Sequence, residues 1–153
     1  MLTSVAVTLH LLSAVIWVGG MFFAVYVLRL AAGPMEPGDR IPLWHRAFGK
    51  FFPWVWISVV LLPATGYILI GDLYGDFSTL PIPFHIMHAL GWIMVLIFLH
   101  LWFAPYRRFK QAVAVGDMPQ AGKHLNTIRL LVTTNLYLGL LNVLIGTTGR
   151  FWG

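Results

Sequence analysis

The chain contains no cysteine, which removes disulfide frameworks, thiolate metal sites and cysteine nucleophiles together. Charge is scarce as well: lysine and arginine number 10, aspartate and glutamate 5, and charged residues make up 10% of the 153 positions. No carboxylate stands inside the long apolar runs, which disfavours acid–base hydrolysis and carboxylate proton pumping alike. The net charge of +5 would suggest nucleic acid in a soluble chain. Here the basic residues fall in short connections between apolar runs, so they report orientation in a bilayer, and no nucleic-acid partner is expected. A basic n-region is missing too, and the first apolar run outlasts a signal-peptide core, so it reads as a retained helix.

What the chain has in excess is apolar surface, 59% of its residues. Four uncharged runs stand out, Met1 to Leu28, Phe51 to Gly71, Phe77 to Tyr106 and Leu130 to Gly149. Each reaches the roughly 20 residues that span a bilayer. They predict an all-α integral membrane four-helix bundle, one domain over 1–153, with helices near 2–29, 46–71, 83–107 and 121–149. The turn-rich stretch Gly33-Pro-Met-Glu-Pro-Gly-Asp39 should stop the first helix, and the second should start after Pro42 and kink near Pro63. Arg29, Arg40, Arg46 and Lys50 flank the first connection, and Arg107, Arg108, Lys110, Lys123 and Arg129 the third; the other side has only Arg150. The positive-inside rule then puts both termini on the outer, periplasmic face of a bacterial inner membrane.

Histidines carry the chemistry. His10 lies at membrane depth, where an ionisable side chain faces the bundle interior and belongs to a site. Trp17, seven residues on, returns to nearly the same face, and Gly19 and Gly20 permit close approach of a backbone or a flat ligand. Helix three brings His85, His88 and His100. Helices one and three run in the same direction, so His10 can share a level with His85 or His88, and His88 is the deeper of the two. His100 lies about 18 Å further along the axis, where His45 or His124 could partner it.

Two imidazoles on facing helices suit haem b, with His10 and His88 as axial ligands and electron transfer as the expected activity. Copper competes for the same site, because imidazole and thioether both suit it; Met21, Met87 and Met94 are candidate soft ligands. Asn135 and Asn142 share a face of helix four and are expected to bond to neighbouring helices. Four spans is small for a stand-alone redox machine, so a redox partner or quinone is expected, with a homodimer or a larger respiratory assembly.

The segment Leu9-His10-Leu-Leu-Ser-Ala-Val-Ile-Trp17-Val-Gly19-Gly20-Met-Phe-Phe23, with the four-span layout, resembles the copper resistance D (CopD) family of bacterial membrane proteins. HemJ-type protoporphyrinogen oxidases look similar: they share a first-helix histidine seven residues before a tryptophan and a third helix with histidine at both ends, like His88 and His100. Those oxidases carry a lysine soon after the helix-three histidine, where this chain has Ala89 and Leu90. The resemblance implies an inner-membrane four-helix protein with a histidine-centred site for copper or haem, and in the HemJ case an oxidoreductase.

Overall fold

The computed structural model describes residues 1–152. Four helices are long and apolar enough to cross a membrane: α1 (Leu2–Ala32), α2 (Pro37–Tyr74), α3 (Ile82–Ala114) and α4 (Met118–Phe151). No strand occurs among the described residues. A backbone buried in hydrocarbon must satisfy its own N–H and C=O groups, and the helix is the way an open chain does this.

The boundaries differ from those the sequence predicts, and proline is the reason. Helix α2 begins at Pro37, not after Pro42. Proline is welcome at a first helical position, where its missing N–H would have no partner anyway. Glu36 before it is extended, and Asp39 places a negative charge in the first turn, where the helix dipole favours it. The chain then tolerates Pro42, Pro53 and Pro63 inside the same helix. Helix α3 likewise continues past Tyr106 to Ala114, absorbing Pro105 in a wide π turn over Trp102–Tyr106. A second π turn, Phe23–Leu28, lies in α1.

The connections stop where residue chemistry demands it. Gly75 and Gly116 follow α2 and α3 with φ of +76° and +74°, a region that costs glycine nothing. Between α2 and α3, Asp76 accepts the Ser78 N–H at 2.7 Å and so caps a short 3-10 turn. Asp117 accepts the Gln120 N–H at 3.2 Å to cap α4, with Pro119 just inside.

Helix α1 packs along α2, and α3 along α4. Lipid tails are as apolar as leucine, so close packing must hold these faces together. At Gly139 an added Cβ would lie 2.8 Å from Val18 Cγ2 and 3.1 Å from Met94 Cε, so this glycine brings α4 against α1 and α3 at once. Asn135 adds a buried hydrogen bond, donating from Nδ2 to the Met94 carbonyl at 3.1 Å. Toward the ends that carry most of the arginines, the core is aromatic. Phe48 and Phe52 stack at 4.9 Å with ring planes 4° apart, and Tyr106 meets Phe52 edge-on at 4.8 Å.

Candidate metal cleft

Helices α1 and α3 lie across the bundle from each other and pack instead on α2 and α4. The space between them is a cleft of about 430 Å³. It extends from Leu73 and Leu80, beside the connection of α2 to α3, inward to Trp17 and Val95. His10 and His88 both line it. Counted from the helix starts at 1.5 Å per residue, His10 is about 12 Å in and His88 about 9 Å in, from the same side.

His10 is held in one tautomer. The Thr65 hydroxyl donates to the Leu61 carbonyl at 2.6 Å, so its oxygen accepts from His10 Nδ1–H at 2.8 Å. This arrangement fits the tautomer with its proton on Nδ1, which leaves the Nε2 lone pair free. A hydrogen bond of this kind orients a metal-binding imidazole and raises its basicity. On α3, His88 Nε2 lies 3.2 Å from the Tyr67 hydroxyl, with the Phe77 ring 5.1 Å away.

Soft and oxygen donors complete the lining. Met87 and Met94 border the cleft, and the Met87 sulfur lies only 3.2 Å from where a Cβ at residue 146 would stand, so Gly146 makes room for it. Asn142 also lines the cleft, and its Oδ1 is buried with no partner. The sequence gives Asn142 a helix-bridging bond; what it has is an acceptor left over. Among the described residues, no lysine, arginine, aspartate or glutamate lines the cleft. In the connection of α2 to α3, Asp76 is held below the usual carboxylate range by the backbone N–H and side-chain hydroxyl of Ser78.

Other expected site residues lie elsewhere. Gly20 does not line the cleft: an added Cβ would run into the Phe51 ring, so its role is to let α2 pack on α1. Trp17 lines the cleft from its inner end, 3% exposed, its ring edge-on to Phe98 at 6.2 Å. His85 turns to the Phe77 ring at 4.6 Å and is absent from the cleft lining. His100 is exposed on α3, while the His45 ring faces buried Phe109 at 6.1 Å, an arrangement that lends nothing to a second haem. Met21, at 2% exposure, is core. Thr65 and Tyr67, the partners of the two imidazoles, are not among the residues the sequence singles out; the nearest signal is their place on α2 just beyond Pro63.

Haem b with bis-histidine ligation is not supported. His88 Nε2 already faces a hydroxyl, and the lining offers no cation to receive the porphyrin carboxylates. Nor do three His, Cys, Asp or Glu side chains cluster among the described residues, so the donors form an open set of imidazole, thioether and amide rather than a closed structural cage.

The family model described as Copper resistance protein D matches residues 45–148, a stretch that includes Thr65, Tyr67, His88 and Asn142 and begins beyond His10. No curated protein and no solved structure matches the chain. With the match covering more than half of its length and four apolar helices to carry it, the chain belongs to the copper resistance protein D family of membrane proteins.

Proposed function

We propose that this protein handles copper ions within the membrane, as transport or tolerance, by taking them into the cleft between α1 and α3. The observation that carries this reading is one cleft lined by His10, His88, Met87 and Met94, with His10 Nδ1 hydrogen-bonded to Thr65 and its Nε2 on the other side of the ring. Neutral imidazole and thioether suit the cuprous ion, which is soft and content with few ligands. They add no charge, so the ion keeps its own and leaves easily, as cargo must. Asn142 Oδ1 supplies a further acceptor for the ion or for a water on it. On the positive-inside reading, the cleft opens to the outer face of a bacterial inner membrane and both termini lie on that side. The reading covers 1–153 as one four-span domain and calls for no quinone or redox partner.

The test is metal analysis and optical spectroscopy of the purified full chain, with copper retention measured for His10→Ala and His88→Ala. Copper bound by the wild type and weakened at least tenfold in His10→Ala is expected. A bis-imidazole Soret band with no copper retention would overturn the proposal and restore the electron-transfer reading.

A further inference from the structure

The basic end of the bundle takes no part in the cleft, yet it holds an unbalanced group of its own. Arg129 of α4 lies over the Trp44 indole of α2, its guanidinium carbon 5.1 Å from the ring centroid. Trp44 is 2% exposed. Arg40 stands one turn before Trp44 on the same side of α2. Arg29 of α1 borders the same small cavity as Trp44 and Arg129. Arg29, Arg40 and Arg129 thus put guanidinium groups from three helices at this end of the bundle.

Their donors are unsatisfied. Arg40 Nε, Trp44 Nε1 and Arg129 Nε are all buried without an acceptor. Arg40 Nη1 has only long contacts, 3.4 Å each, to the carbonyls of Gly33 and Met35. Glu36 and Asp39 are exposed at the start of α2 and, among the described residues, pair with none of the three. A buried donor left unmade is costly, more so when charged, so these groups favour an acceptor beside them. Guanidinium and indole N–H groups have no acceptor to offer one another. Trp44 and Arg129 line the same small cavity, and one oxygen of an anion entering it can accept from both.

We infer that this groove between α1, α2 and α4 binds a phosphate group, with an anionic phospholipid headgroup as its natural source. The cavity, about 10 Å³, admits roughly one water-sized oxygen, so the phosphate sits at the rim and inserts one of its oxygens. Val27, Leu30 and Leu130, all exposed, are close in sequence to Arg29 and Arg129 and offer apolar surface to acyl chains. Arg29, itself exposed, reaches the rim where a headgroup lies. This site is independent of the copper reading and stands if that reading fails.

The experiment uses the full chain in phosphatidylcholine nanodiscs, with phosphatidylglycerol in one arm and inorganic phosphate in another. Lipids retained in native mass spectrometry and the thermal midpoint are read. Preferential retention of phosphatidylglycerol and a raised midpoint are expected, with retention weakened roughly fivefold by Arg129→Gln or by Arg29→Gln. Arg29 is exposed, so its variant keeps the test alive if Arg129→Gln misfolds. A midpoint raised equally by inorganic phosphate supports the site and assigns it a soluble source. Equal retention of both lipids without a phosphate effect overturns the inference, as does retention unchanged in both variants; a bound water is then enough to satisfy the donors.

Discussion

Thr65 stands between two partners: its hydroxyl donates to the carbonyl one turn back on α2, and its oxygen receives Nδ1–H of His10 from α1 at 2.8 Å. The histidine that looks solitary in the sequence is thus oriented by a residue 55 positions away.

The first prediction follows from that bond. Thr65→Val keeps the volume and removes the acceptor, which frees the His10 ring to rotate and exchange tautomers. Copper affinity should fall about tenfold or more, while Thr65→Ser retains it. Titration of both purified variants with cuprous ion checks this; equal affinities would mean that the bond only supports packing.

Tyr67 has the opposite role. Its hydroxyl lies on His88 Nε2 and competes with any ion for that nitrogen. Tyr67→Phe should therefore raise copper retention by a few fold, the worth of one neutral hydrogen bond of about 1 kcal/mol. Binding weakened in Tyr67→Phe would show instead that the phenol steadies a ring that ligates through Nδ1.

Gly139 predicts a packing effect with a built-in rescue. A methyl there meets Val18 Cγ2 at 2.8 Å, and overpacking of this kind costs about 1–3 kcal/mol. The midpoint of thermal unfolding in detergent should fall for Gly139→Ala and recover when Val18→Ala is added. Absence of recovery would place the cost on the Met94 side.

The connection between α2 and α3 carries a pH dependence of known sign. Asp76 has its pKa lowered by the Ser78 N–H and hydroxyl, so its stabilising contribution is present above the ordinary aspartate pKa. It is lost as pH falls through the depressed value. The protection of the Ser78 amide, the intrinsic exchange rate at each pH divided by its own rate, should therefore hold from neutral pH until pH falls through the lowered Asp76 pKa, and be weaker throughout in Asp76→Asn.

The helices are legible in the sequence because a bilayer demands about 20 apolar residues per crossing, and runs such as Met1 to Leu28 have no other soluble explanation. Their ends are less so. Pro37 and Pro42 look like punctuation, yet one opens α2 and the other lies within it, since a proline near a helix start forfeits little. His10 and His88 can be put at similar depth by counting residues, and both line the cleft. Rotation about a helix axis is harder to read when every face is apolar. That is why Gly20, which meets Phe51, and His100, which is exposed, fall outside the site. Thr65 and Tyr67 are invisible for a related reason: a hydroxyl in a membrane helix bonds its own backbone by default, and only the packing of α1 and α3 on α2 gives these two a second duty.

An aromatic cluster packs behind Trp17 at the inner end of the cleft. Phe98 touches Trp17, Phe52, Trp56 and Trp102, with centroids 5.3 to 6.2 Å apart, and is itself 2% exposed. On the copper reading proposed above, an ion beside His10 would have this packed aromatic cluster between it and the basic end of the bundle, so the side by which it enters is also the side by which it leaves with least rearrangement.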